Sequence, residues 1–240
     1  MTSRAALFGA NGGIGRALAD TLCADPAYSE VWLGARHLPV ATAPTAQPFC
    51  FDGDDEASLA AAARQIGTGG DLDLVFVATG LLHRPGLRSP EKSYRALDGA
   101  AMAELYRANV IGPALIAKHF LPLLPRDHRA VFAVLSAKVG SIGDNRLGGW
   151  HSYRAAKAAL NMLVVNLAIE VRRSHPQAVI VALHPGTVDT ALSAPFQRGL
   201  REGQLQSPAA CAAALLTTLA KLQPEDGGGL FASDGTRLPW

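Results

Sequence analysis

The sequence predicts an α/β fold in which buried parallel strands are joined by crossover helices. Two observations carry this. Short apolar runs rich in Val, Leu and Phe alternate with longer Ala- and Leu-rich stretches. Of the 240 residues, 49% are apolar and 18% charged, enough to bury one sizeable core. Because α/β folds longer than about 200 residues often stay undivided, one domain over residues 1–240 is expected.

The strand candidates are Arg4–Gly9, Glu30–Gly34, Pro48–Phe51, Leu74–Ala78, Val131–Leu135, Ala178–Leu183 and Leu230–Ala232, each a short apolar run. Between them, helices are expected over Ile14–Ala24, Glu56–Gln65, Ala100–Leu123, Tyr153–Ser174 and Pro208–Leu222, bounded by Gly, Pro, Asp or Ser. Ala35–Gln47 reads as a connecting loop and Ala194–Ser207 as a lid.

Several function classes are disfavoured. A net charge of +2 with interspersed signs gives no footprint for nucleic acid and no block to attract an acidic partner. No apolar stretch approaches the ~20 residues of a membrane span, and the first residues lack a basic region followed by an apolar run, so a cytoplasmic location is expected. Cys23, Cys50 and Cys211 fit neither a disulfide framework nor a zinc site, and the histidines are scattered, so no metal is expected. No G-x-S-x-G elbow supports a hydrolase.

The first strand runs into Gly9-Ala10-Asn11-Gly12-Gly13-Ile14-Gly15, after which a helical pattern begins. Glycines at such a turn let the backbone approach a pyrophosphate, which the free N–H groups and dipole of the helix N-terminus hold. The spacing is G-x-x-x-G-x-G, without the Gly-Lys-Ser/Thr of a nucleoside-triphosphate loop. About 20 residues further on, where dinucleotide folds read the adenosine ribose, the strand ends in Gly34-Ala35-Arg36 with no carboxylate. A carboxylate would repel a 2′-phosphate, whereas the Arg36 guanidinium can grip one, so NADP(H) is favoured over NAD(H).

Ser136 follows the fifth strand, and Tyr153-Arg154-Ala155-Ala156-Lys157 opens the next helix. Residues four apart share a helix face, so the Tyr153 hydroxyl and Lys157 ammonium can meet one pocket. A free tyrosine ionises near pH ~10; an adjacent cation stabilises tyrosinate and makes the group a usable acid/base.

This order of glycine turn, serine and Tyr/Lys pair resembles the short-chain dehydrogenase/reductase family over essentially the whole chain. The resemblance implies a Rossmann-type, doubly wound parallel sheet of seven strands with helices on both faces. It makes Gly9, Gly13 and Gly15 cofactor glycines, with Asn11 and Ile14 in the same turn, and Asp52 the residue contacting adenine. Gly80 would join the cofactor site after the fourth strand, and Pro185, Gly186, Val188 and Thr190 would hold the nicotinamide carboxamide. Asn109, Ser136, Tyr153 and Lys157 match the catalytic four, Tyr153 and Lys157 also lying against the cofactor. Two departures bear on hydrogen bonds that brace the sheet: Val77-Ala78-Thr79-Gly80 stands where the family has Asn-Asn-Ala-Gly, and Phe8 where Thr is usual. The C-terminal Asp234-Gly235-Thr236-Arg237-Leu238-Pro239-Trp240 is similar to the C-factor-like branch.

The resemblance implies an NADP(H)-dependent oxidoreductase acting on a small-molecule carbonyl or alcohol. Tyr153 would protonate the carbonyl oxygen, Ser136 bond the same oxygen, and Asn109 hold a water linking Lys157 to solvent. The alternative is a cofactor-binding sensor or signalling protein with little turnover. Pocket walls are expected from Leu81–His83, Val139–Trp150 and Val188–Gly203, with Arg146 and His151 as polar candidates. Leu160, Leu163, Val164, Leu167 and Ile169 give the Tyr153 helix more apolar surface than one sheet contact covers, and the family pairs through this helix, so a homodimer or homotetramer is expected.

Overall fold

A computed structural model describes residues 2–83 and 89–240. The chain alternates strand and helix: β1 (Ser3–Phe8), α1 (Gly13–Ala24), β2 (Tyr28–Ala35), β3 (Ala46–Cys50), α2 (Glu56–Gly67) and β4 (Leu74–Val77). Then come α3 (Gly99–Tyr106), α4 (Gly112–Phe120), β5 (Ala130–Leu135), α5 (His151–Val171) and β6 (Ala178–His184). The last part holds β7 (Thr187–Val188), β8 (Leu205–Gln206), α6 (Pro208–Lys221), β9 (Leu230–Ala232) and β10 (Arg237–Leu238).

The main sheet has the order β3-β2-β1-β4-β5-β6-β9-β10. The seven expected strands are all present and parallel, but the sheet has an eighth: β10 pairs antiparallel with β9, Arg237 opposite Phe231. A two-residue strand is too short to give an apolar run, which is why sequence periodicity missed it. The same holds for the separate ribbon of β7 and β8, which ties the end of the expected Ala194–Ser207 lid to Thr187–Val188.

Side-chain alternation along the strands sorts the helices into two layers. Ala5, Leu7, Phe76, Ala133 and Val181 pack on one face with Leu18 and Leu22 of α1 and Leu215 and Leu219 of α6. Ala6, Val75, Phe132 and Ile180 pack on the other with Leu59 of α2, Ile116 of α4 and Leu160 of α5. Phe8, the departure from the family's Thr, lies at the centre of this second layer. Its ring meets those of Phe49, Phe51 and Phe120 edge-on at centroid distances of 5.6, 5.0 and 4.7 Å, so packing serves where a hydroxyl would have bonded.

The stretch expected as one helix from Ala100 to Leu123 is interrupted at Arg107–Ile111 by a π-helical turn, in which Gly112 N–H bonds Arg107 O. Pro113 explains the break: it has no N–H to give the Asn109 carbonyl, so the ladder widens by one residue. Among the described residues no helix is long and apolar enough to cross a membrane.

The order in which strands are added reverses between β1 and β4, because β2 and β3 lie to one side and β4, β5, β6, β9 and β10 to the other. In open α/β sheets the crevice beyond the carboxyl ends of the strands at such a point is where ligands bind.

Candidate active site

At the end of β1 the backbone turns at Gly9 with φ 93°, a conformation that side-chain-bearing residues avoid. The N–H groups of Gly9 and Ala10 both donate to Gly34 O, at 2.8 and 3.1 Å, and Gly12 N–H closes the turn on Gly9 O at 2.9 Å. A Cβ on Gly15 would collide with the Gly9 carbonyl, so only glycine lets α1 start this close to the strand. The N-cap of α1 is Gly12, which offers no side-chain cap, and the first-turn N–H groups are left for a ligand at the crevice.

A cavity of about 420 Å³ opens over this turn. From the expected cofactor residues its walls include Gly9, Asn11, Arg36, Asp52 and Gly80. Asn11 is held by its amide donating to His37 O at 2.7 Å, and Asp52 Oδ1 accepts from Asp54 N–H at 3.0 Å. Sequence reasoning missed His37, Phe51, Arg107, Gly112 and Ile116, which complete the walls. They come from segments with no motif of their own and are assembled only by the sheet order. Thr190 lies directly against Gly13, where an added Cβ would meet its methyl group 2.5 Å away. Gly13, Ile14, Gly15, Pro185, Gly186, Val188 and Thr190 lie outside the lining of this cavity. The set fits a dinucleotide: backbone donors for a pyrophosphate, the Phe51 and Ile116 side chains for a flat base, and guanidinium groups of Arg36 and Arg107 for anionic oxygens.

At the far end of the crevice Gly80 marks where the chemical residues converge. A Cβ there would lie 3.2 Å from Asn109 Oδ1 and 3.7 Å from Lys157 Nζ. Asn109 sits in the π-helical turn, fully buried. Its amide brackets Leu81, accepting from the N–H at 3.1 Å and donating to the carbonyl at 2.7 Å, and also donates to Leu105 O at 3.0 Å. Lys157 Nζ donates to Leu135 O at 2.9 Å and stands 5.7 Å from the centroid of the Tyr153 ring.

Burial raises the Tyr153 phenol above its ordinary value and pushes Lys157 down to about 7. Desolvation, and not the expected lowering by the lysine, sets the direction for Tyr153, and the phenol keeps its proton at neutral pH.

The expected walls come together around Tyr153, which packs with Leu82 and Leu105 and against Ala137, Trp150 and Phe196. Trp150 and Phe196 ring centroids are 5.0 Å apart, and His83 meets Phe196 at 5.4 Å while its Nε2 bonds Leu192 O at 3.1 Å. The Ser136 hydroxyl donates to Asn161 Oδ1 at 2.6 Å. Arg146 is exposed and donates to Asn145 O.

Glu91 is a positioning residue that the sequence did not reveal. The N-cap of α5 is Trp150, left-handed at φ 49° and without a side-chain cap, so the helix carrying Tyr153 and Lys157 lacks a local cap. Glu91 supplies one from a distant loop. Its carboxylate accepts from the Ser152 hydroxyl and N–H, and its carbonyl accepts from Trp150 N–H at 2.5 Å. Burial works to raise the Glu91 pKa, but these hydrogen bonds hold it below the usual carboxylate value.

Known proteins agree with this architecture. A family model described as short chain dehydrogenase matches residues 3–200. The chain is 33% identical over 196 residues to the 1-hydroxy-2-glutathionyl-2-methyl-3-butene dehydrogenase of Rhodococcus sp. (strain AD45), covering 82% of this chain and 80% of that protein. It is 33% identical over 145 residues to the C-signal protein of Myxococcus xanthus, covering 60% of this chain and 81% of that one. Among solved structures, an NADPH-bound carbonyl reductase from chicken fatty liver superposes with a TM-score of 0.85 at 26% identity, covering 100% of this chain and 99% of the other. With the glycine turn, the doubly wound sheet and this match over residues 3–200, the chain belongs to the short-chain dehydrogenase family.

Proposed function

We propose that residues 1–240 form one dinucleotide-binding domain that interconverts a carbonyl and an alcohol with NADP(H), using Tyr153 as general acid/base. The observation that carries this is the crevice itself. One end holds Arg36 and Asp52 around a cavity, and the other holds a buried Tyr153 and Lys157 that share a helix face. The NADPH bound to the chicken carbonyl reductase and the dehydrogenase activity named for the Rhodococcus relative support the reading.

When bound, the reduced nicotinamide supplies the hydride. Tyr153, kept protonated by burial, gives its proton to the carbonyl oxygen. Lys157, whose ammonium is anchored on Leu135 O, stabilises the phenolate left behind. Asn109 holds the Leu81 backbone and the π-helical turn in place beside Lys157, and is the group to order a water between that lysine and solvent. Gly9, Asn11, Gly13, Ile14 and Gly15 hold the pyrophosphate; Arg36 takes the 2′-phosphate and Asp52 the adenine; Pro185, Gly186, Val188 and Thr190 hold the carboxamide side. The active unit is a cytoplasmic homodimer or homotetramer.

Turnover of carbonyl compounds with NADPH, followed by nicotinamide absorbance, tests this. Tyr153→Phe is expected to bind NADPH as the wild type does and to lose turnover by about a thousandfold. Retained turnover rejects the assignment. A second reading, a signalling protein with little turnover, rests on the match to C-signal. Tight NADPH binding with no turnover across the compounds favours that one.

A further inference from the structure

We infer that Ser136 stands outside the reacting atoms, and that Tyr153 grips the substrate oxygen without a serine from the end of β5; this rests on the reductase reading above. Along β5 the side chains of Ala130, Phe132 and Val134 face the layer of α2, α4 and α5, and Ser136 continues that alternation. Its hydroxyl meets Asn161, both residues being more than nine-tenths buried. Asn161 lies one helical turn beyond Lys157, so Ser136 to Asn161 and Leu135 O to Lys157 are consecutive ties between the end of β5 and the inner stripe of α5. Among the described residues the Asn161 amide nitrogen has no hydrogen-bond partner, so swinging Ser136 toward a substrate would also take away the bond that the amide oxygen accepts. The next residue, Ala137, packs against the cluster of Leu82, Leu105 and Tyr153. A methyl group thus stands on the wall of that cluster, where a hydroxyl would be a second donor.

Losing one preorganised donor to a developing oxyanion typically costs about 10²–10³ in rate. A site with Tyr153 alone suits carbonyls that are already electron-poor: aldehydes, and ketones bearing electron-withdrawing substituents.

The test compares the wild type, Ser136→Ala and Ala137→Ser with NADPH and a series of para-substituted benzaldehydes. Ser136→Ala is expected to keep kcat/KM within about threefold. Ala137→Ser is expected to raise kcat about tenfold on the electron-rich members and to flatten the dependence on substituent, a response that a change in packing does not produce. A loss of about a hundredfold in Ser136→Ala at unchanged NADPH affinity, with no gain in Ala137→Ser, overturns the inference. A double-mutant cycle of Ser136→Ala and Asn161→Ala in urea unfolding needs no turnover. Non-additive changes in unfolding free energy support the tie, and additive ones overturn it. A wild type that turns over no aldehyde therefore counts against the reductase reading, while the cycle still decides the role of Ser136.

Discussion

Lys157 is buried, its ammonium donates to a carbonyl, Leu135 O, and burial pushes its pKa down to about 7. An unfolded lysine titrates near ~10.4, so between about pH 7 and 10 the unfolded chain binds one more proton than the folded one. Stability should therefore rise with pH through this window, by up to about 1.4 kcal/mol per unit from this group, and the full cost of charging Lys157 is felt below pH 7. Lys157→Met is expected to flatten that rise in urea unfolding; an unchanged slope would show that the lysine is not desolvated. At this scale the Tyr153 and Lys157 pair was legible, because a four-residue spacing on a helix needs no tertiary information. The bond from Ser136 to Asn161 was not legible, since only strand register decides which side of the sheet a residue at the strand end faces. Phe51, Arg107 and Ile116, which also line the cavity over the glycine turn, come from three separate segments and carry no local signal.

Among the elements, α5 matters most, because its first two turns carry both chemical groups. Its start is capped by Glu91, 61 positions before Ser152 and visible in the sequence only as a lone acid after Ser89-Pro90. Removing a helix N-cap typically costs about 0.5–2 kcal/mol. Glu91→Ala is expected to lower stability by that order and to reduce kcat more than NADPH affinity, since the cap fixes Tyr153 and lies away from the Arg36 end. A variant with wild-type kcat would make Glu91 a purely local contact. Helix α5 itself was read within a few residues, His151–Val171 against Tyr153–Ser174, from its apolar periodicity. The two helices between β4 and β5 were read as one because the π-helical turn keeps the helical repeat and only Pro113 marks it. Short strands β7, β8 and β10 had no run long enough to be seen.

For the whole molecule, the alternation of buried strands and crossover helices made the sheet legible because both faces are covered, and the central strands are buried along nearly their whole length. The proposed homo-oligomer would cover apolar surface that remains exposed on α5. Met162 and Ile169, seven positions apart and so on one stripe of α5, are 61% and 60% exposed, and Ile111 at the head of α4 is 47% exposed. A dimeric or tetrameric mass is expected by sedimentation at micromolar concentration, falling toward a monomer in Met162→Glu/Ile169→Glu; a monomeric wild type would contradict it. The central claim, a nicotinamide dinucleotide held between the glycine turn and Arg36 for use by Tyr153, is tested most directly by titrating the protein with NADPH and NADH in parallel. Nicotinamide fluorescence reports binding, and Arg36→Ala serves as the comparison. Tighter binding of NADPH that is lost in Arg36→Ala is expected, and binding of neither dinucleotide would contradict the account.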